Sequence, residues 1–268
     1  MPQSSTENLD EPVSLAATGV AAYMVANIVH EVFGHSLVCV ATGARITVLT
    51  SVFFHSVPGS RMTDAGGPMA NLLFGLLLWG WMRRGEPARQ GPPFTRFVLL
   101  MITVFNLAWV AGCFCQTGVS GHGDWGFVIE RLHPAAFWRG SALITGVGLY
   151  WLALRTAVRG LNLFVAADEP DRGRRIFRLV AWPYFAAGMA ACLAATLDQA
   201  GMVAAVRGAA METLALNMPL LLVPLFMRRR PAFSQRDVID RSGAGLAVIA
   251  FAFILFALSL GRGMRFGV

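Results

Sequence analysis

The chain has 268 residues, of which 56% are hydrophobic and only 14% are charged, with a formal net charge of +7. A soluble domain is about 25% charged, and the apolar residues here come in runs of roughly 20, long enough to cross a bilayer. These figures exclude an ordinary soluble protein and predict an all-α polytopic membrane protein with about six or seven transmembrane helices. The basic residues are all arginines near the ends of the apolar runs. We therefore expect contact with the lipid bilayer and no nucleic-acid partner.

The predicted elements begin after a polar tail. Residues 1–12 lack the basic stretch of a signal peptide, and we expect them to be disordered. The first span is predicted over residues 13–42. The segment that follows at 45–57, RITVLTSVFFHSV, is rich in β-branched and aromatic residues and ends at Pro58-Gly59. It predicts a short strand or β-hairpin rather than a span.

The remaining spans are predicted at 66–82, 95–117, 141–158, 178–197, 209–227 and 243–261. The second span would begin at Gly66-Gly67-Pro68, because proline is tolerated in the first turn of a helix. The arginine-rich connection at 167–178 is expected to be amphipathic or solvated. The chain then divides into the tail 1–12, a membrane core at 13–140 that contains the ionisable residues described next, and additional transmembrane helices at 141–268.

The most informative segment is His30-Glu31-Val32-Phe33-Gly34-His35, which lies inside the first predicted span. Ionisable groups at membrane depth are costly, and they usually mark a functional site. A histidine pair with an adjacent glutamate is typical of a zinc hydrolase, in which the imidazoles hold the metal and the glutamate takes a proton from water. The segment predicts His30 and His35 as metal ligands and Glu31 as the catalytic base.

The spacing of the two histidines requires a deformed helix. Positions i and i+5 of a regular α-helix differ by about 140° in direction, so their side chains cannot share one metal. A π-bulge would correct this, and Gly34 would ease the distortion, so we predict a bulge or wide turn within 30–35. Two alternatives remain open. A regular helix would make Glu31 and His35 the ligand pair, or all three groups would serve only as buried interhelical hydrogen-bonding partners.

A catalytic zinc ion needs a third protein ligand and an open fourth position. The candidates are Asp124, His122, His55, His133 and Asp64. The end of the third span lies on the same side of the membrane as the end of the first, which favours Asp124, with His122 as the possible alternative ligand. His55 is in the predicted hairpin, where it would line the site and position substrate. His133 precedes a proline and is expected at the membrane interface.

Three pieces of the chain resemble, in order, the site-2 protease type of intramembrane metalloprotease. HEVFGHSLVCVATGARI, from His30, is similar to the family's His-Glu-x-Gly-His helix and the short strand that follows it. AGGPMANLL, from Ala65, is similar to the family's Ala-Gly-Pro-x-x-Asn helix start. Phe105-Asn106-Leu107 and the later Asp124 are similar to Asn-Leu-x-Pro and a ligating Asp-Gly. The resemblance covers about residues 15–130. It implies zinc on His30, His35 and Asp124, Glu31 as the base, and Asn71 as a residue that orients substrate or the neighbouring helix.

The chain departs from the family pattern in two places. One extra residue separates the histidines, and Asn106 and Asp124 are farther apart than usual, with Trp125 in place of the glycine after the aspartate. A six-residue His-Glu-x-x-Gly-His motif also occurs in the dipeptidyl peptidase III family of zinc peptidases. The longer spacing is therefore compatible with zinc binding.

The expected function is that of an intramembrane zinc-dependent endopeptidase in a multi-pass protein of a bacterial inner membrane. It would cleave a transmembrane or membrane-proximal substrate protein with metal-activated water. The alternative is a non-proteolytic membrane scaffold or binding protein in which the metal is structural or absent. A metal transporter is disfavoured because it needs polar residues through several spans, and the fourth, fifth and seventh predicted spans offer almost none.

Overall fold

The computed structural model describes residues 10–84, 91–166, 169, 171–199, 201–227 and 237–267. Within these residues, six helices are long and apolar enough to cross a membrane: α1 Pro12–Ala41, α3 Pro93–Ser120, α5 Ala135–Leu161, α6 Arg172–Ala195, α7 Met202–Met227 and α8 Gly243–Gly261. Large apolar side chains on the outer helices are exposed, such as Ile144 on α5 and Val248 on α8. Such a surface suits lipid rather than water, so the predicted polytopic helical membrane protein is confirmed.

A further long helix, α2 at Arg61–Arg84, is less apolar than these six, and a short helix, α4 at Asp124–Ile129, follows α3. The helix α2 begins earlier than the predicted Gly66, because the Ser60 hydroxyl accepts a hydrogen bond from the backbone N–H of Thr63. Pro68 therefore lies inside α2 and not in its first turn.

The strands show that α2 also crosses the bundle. β1 (Arg45–Leu49) follows α1, and β3 (Met264–Arg265) follows α8, and the two strands are paired. The ends of α1 and α8 therefore lie at the same end of the bundle. Between these two ends the chain must therefore cross the bundle an even number of times. In the described part of the chain, α3, α5, α6, α7 and α8 give five crossings, so α2 must be the sixth.

The predicted hairpin is confirmed. β1 pairs antiparallel with β2 (Phe54–Val57), and the sheet order is β2-β1-β3, which leaves the outer edge of β2 unpaired among the described residues. The turn between the strands enters the helix bundle. The Ser51 carbonyl accepts a hydrogen bond from Asn27 Nδ2 on α1 at 2.8 Å, and the Ser51 N–H donates to the carbonyl of Leu260 on α8. These contacts fix the hairpin against the second half of α1.

Helix α3 lies at the centre of the bundle, and Phe97, Phe105 and Trp109 on it are fully buried. Around it the helices approach closely where one residue is small. A Cβ atom on Gly19 of α1 would lie 2.0 Å from the carbonyl oxygen of Pro183 on α6, so only glycine permits this crossing. Small residues at helix crossings are the usual means by which membrane helices pack tightly.

The predicted disordered tail does not extend to residue 12. Residues 1–9 of the predicted tail lie outside the described residues, but Asp10 is buried and α1 begins at Pro12. The Asp10 carboxylate binds Arg175 with two hydrogen bonds, of 2.7 and 3.0 Å, and Glu169 binds the same guanidinium at 2.9 Å. Arg175 was expected in an amphipathic or solvated connection; it lies in α6 and is buried, so the solvated alternative is wrong for this residue. Its charge is tolerated there because two carboxylates and two backbone carbonyls surround it.

Candidate metal centre

His30 and His35 lie in a π-helical segment of α1, Val29–Ser36, which confirms the predicted bulge. Each turn of this segment is one residue wider than an α-helical turn, so positions i and i+5 lie on one face. The helix α2 explains the need for a glycine here. A Cβ atom on Gly34 would lie 2.5 Å from the Cα of Gly67, so the two backbones touch where the bulge occurs.

Three potential ligand atoms converge at this bulge. His30 Nε2 lies 3.1 Å from His35 Nε2 and 3.0 Å from Asp124 Oδ2, and His35 Nε2 lies 3.8 Å from the same oxygen. Zinc–ligand bonds of about 2.0–2.1 Å in a tetrahedron place the ligand atoms about 3.3–3.4 Å apart. The three observed distances lie around that value, so His30, His35 and Asp124 fit one zinc ion. The pairing of Glu31 with His35 that a regular helix would give is not formed.

The outer nitrogens of the two imidazoles fix their orientation. His30 Nδ1 donates to Asn71 Oδ1 at 2.6 Å, and His35 Nδ1 donates to the Thr63 carbonyl at 2.6 Å. The Asn71 amide cannot be reversed, because its nitrogen donates to the Ala26 carbonyl and to Asn106 Oδ1. The facing Nε2 atoms cannot both carry a proton at 3.1 Å. At least one lone pair therefore points at the centre beside a carboxylate, as a metal site requires.

Asp124 reaches the histidines through a glycine-rich turn. α3 ends at Gly121 and α4 begins at Asp124, and Gly121 and Gly123 both have positive φ angles, of 77° and 87°. Burial alone would raise the pKa of the Asp124 carboxyl. The imidazoles of His30, at 3.0 Å, and His35, at 3.8 Å, outweigh burial and hold this pKa well below its usual range, so the group is ionised at neutral pH.

A cavity of about 310 Å³ opens from the three ligands. Glu31 is 4% exposed, lines this cavity, and has one carboxylate oxygen, Oε2, with no hydrogen-bond partner among the described residues. Such a group is costly unless a ligand or water completes it. The hairpin forms one wall, where Phe54 stacks on His35 with ring centroids 5.2 Å apart and Phe53 is partly exposed.

The other sequence candidates occupy different positions. His122, the alternative ligand, is exposed beside Asp124 and lies outside the convergent group, because the turn directs only Asp124 inward. His133 is also exposed. Asp64 lines the cavity without joining the ligand group.

The two residues expected to position substrate do not reach the cavity. His55 is exposed and hydrogen-bonded to Thr47 Oγ1 at 2.6 Å. Neighbouring residues of a strand point to opposite faces, so when Phe54 faces His35 its neighbour His55 faces away. Asn71 is fully buried and holds His30 instead of facing the cavity. Asn71 was also expected to orient a neighbouring helix, and its contact with His30 of α1 agrees with that expectation.

Sequence reasoning did not assign one residue of the site, Glu212 on α7, which lines the same cavity. The available signal was a carboxylate inside a predicted span, since such residues are rare and usually functional. Thr63 was also missed, because its contribution is a backbone carbonyl and no side-chain pattern reveals that.

Comparison with protein-family models, curated proteins and solved structures finds no match to this chain. The likeness to site-2 proteases therefore depends on the residues quoted above and on the geometry that they form.

Proposed function

We propose that the protein is an intramembrane zinc-dependent endopeptidase, in the manner of the site-2 proteases that it resembles. The observation that supports this most strongly is the convergence of His30, His35 and Asp124 at one end of a cavity that Glu31 also lines. Three protein ligands with an open side are typical of catalytic zinc, whereas structural zinc is usually enclosed by four. A bacterial inner membrane is the location that we propose for this activity.

The chemistry divides between the metal and the chain. A bound zinc ion would polarise the substrate carbonyl and lower the pKa of water at the site. The Glu31 carboxylate takes a proton from the attacking water and delivers it to the nitrogen of the scissile bond as the C–N bond breaks. Asn71 and Thr63 hold the imidazoles in the orientation that this arrangement needs.

The hairpin provides a place for the substrate backbone. A transmembrane substrate must unwind locally before its amide bond is accessible. The outer edge of β2 is unpaired among the described residues, and Phe53 and Phe54 lie beside the cavity. An extended substrate segment that pairs with β2 would pass in front of Glu31 and the ligands. This is the strand-addition mode of peptide recognition.

The activity can be tested without knowing the substrate. The purified protein is incubated with detergent-solubilised bacterial inner-membrane proteins, and the new amino termini are labelled and identified by mass spectrometry. We expect a reproducible set of new termini that disappears after treatment with a zinc chelator and returns when zinc is restored, but not when magnesium is added. The proposal would be contradicted by new termini whose abundance does not change on chelation, or by none in metal-loaded, folded protein.

A further inference from the structure

Glu212 is a second carboxyl group in the cavity, and the proposed mechanism does not use it. It lies on α7 and lines the cavity together with Glu31 and Asp124. The structure records no hydrogen bond or ion pair for its carboxyl group among the described residues. A carboxyl group within a membrane-spanning helix is costly when it has no partner, so it is expected to serve a ligand.

The backbone around Glu212 is built to direct it into the cavity. Helix α7 changes to a π-helical segment at Met211–Ala215, which frees carbonyl groups from the regular ladder. Side chains donate hydrogen bonds to carbonyl groups of this segment. Asn217 Nδ2 donates to the carbonyls of Glu212 and Thr213 at 3.1 Å each. Two tyrosines donate further hydrogen bonds: Tyr184 to the Leu214 carbonyl, and Tyr150 to the carbonyl of Leu216, which directly follows the segment.

Both tyrosines come from neighbouring spans, Tyr150 from α5 and Tyr184 from α6. The irregular segment is therefore held from two directions and is not a frayed helix end. Deformed helical turns with dedicated partners are typical of functional sites. The same device, a π-helical turn, places His30 and His35 on the other wall of the cavity.

The polar groups that line the cavity indicate what Glu212 binds. The lining includes four carboxyl groups, those of Glu31, Asp64, Asp124 and Glu212, and no arginine. Of these four, only Asp124 belongs to the group of potential metal ligands. Glu31 supplies an independent sign that a ligand completes the site, since it is 4% exposed and its Oε2 atom has no partner among the described residues. The arrangement therefore favours a cationic ligand with N–H donors over an anionic one.

We propose that Glu212 binds a protonated primary amine of the substrate close to the scissile carbonyl, and so selects substrates that carry one. The inference rests on the proposed zinc peptidase activity. An N-terminal amino group and a basic side chain share this chemistry. A charge-assisted hydrogen bond at a water-poor site is worth about tenfold or more in affinity.

Three hydroxamates, which bind zinc directly, separate the possibilities. Isocaproyl hydroxamate has no amine, leucine hydroxamate adds an α-ammonium group to the same skeleton, and ε-aminocaproyl hydroxamate places the ammonium group where a basic side chain would carry it. Their affinities are measured by calorimetry on the zinc-loaded protein in detergent. The variants are Glu212→Gln and, as a matched control, Glu130→Gln, since Glu130 is exposed and does not line the cavity.

We expect the wild type and Glu130→Gln to bind one of the two amines about tenfold more tightly than the neutral compound. In Glu212→Gln that preference should disappear, while the affinity for the neutral compound and the zinc content stay unchanged. A merely structural role for Glu212 would weaken all three compounds equally and would overturn the inference. So would the absence of any preference in the wild type, or a second zinc ion that Glu212→Gln removes. If none of the compounds binds and no zinc is present, the zinc peptidase itself is contradicted, and this inference with it.

Discussion

Replacing Gly67 by alanine should cost the protein its metal. A Cβ atom on Gly67 would lie 2.4 Å from His35 Nε2 and 2.6 Å from His30 Nε2, the two nitrogens that face the centre. A retreat of α2 from the imidazoles would separate it from α1 at Gly34, where the two backbones are in contact, and so would disrupt the packing that holds the site together. Either the imidazoles or α2 must move, and each movement disturbs the geometry of the ligand group. We expect zinc affinity to fall by at least about 100-fold, the upper end of what is lost when a partner of a ligand is removed.

The measurement is a competition titration against a chromophoric chelator, and Gly80→Ala is the matched control. Gly80 lies on the same helix, and a Cβ atom there would meet nothing within 4 Å. This variant should bind zinc like the wild type. Circular dichroism establishes that both variants keep their helices. Equal zinc affinity in folded Gly67→Ala and Gly80→Ala would show that the metal does not lie between these imidazoles.

Replacing Glu31 by glutamine should abolish hydrolysis and leave the metal in place. Glutamine has nearly the same shape but cannot accept and return a proton. Loss of a general base costs about 10²–10⁴-fold in rate. We expect a decrease of that size in kcat/KM, measured on a synthetic peptide taken from one of the membrane segments that the wild type cleaves. The zinc content should remain one per chain.

Glu31→Gln also distinguishes the two ways in which the motif was interpreted. If Glu31 were a ligand, as a regular helix would require, the variant would lose zinc together with activity. The control is again Glu130→Gln, which removes an exposed carboxylate outside the cavity. Cleavage of the peptide by Glu31→Gln at the wild-type rate would exclude Glu31 as the base.

Much of the site follows from local sequence. The five-position spacing from His30 to His35, with Gly34 before the second histidine, predicts a widened turn, because no regular α-helix brings the two side chains together. The β-branched and aromatic run at 45–57 predicts the hairpin. Membrane topology alone brings Asp124 to the same side as the histidines, and the structure places its carboxylate 3.0 Å from His30.

What could not be predicted depends on contacts between distant parts of the chain. His55 was expected near the substrate. Alternation along a strand does not say which of two neighbouring side chains faces the cavity, and here only the contact of Phe54 with His35 determines it. Asn71 is on a helix with several faces, and its burial against His30 depends on the approach of α2 to α1. Buried Arg175 is beside Asp10, 165 positions away, which no local pattern reveals.

The later half of the chain shows the same limit. Glu212 stood out in the sequence only as a charged residue in an apolar run. Its position in the cavity depends on an irregular part of α7. Tyr150 and Tyr184, on two other spans, donate hydrogen bonds to backbone carbonyls there. A residue that acts through tertiary packing of this kind leaves a weak signal at the level of composition, because the two tyrosines are 30 and 66 positions away from the carbonyls to which they donate.

The central claim is that His30, His35 and Asp124 hold one zinc ion. Elemental analysis of the detergent-purified wild type beside His35→Ala and Asp124→Ala tests it most directly. We predict about one zinc per chain in the wild type and a loss of most of it in each variant, since removing one of three ligands leaves a weak site. A well-folded wild type that contains no metal, even after incubation with zinc, would contradict the claim and favour a non-catalytic membrane protein.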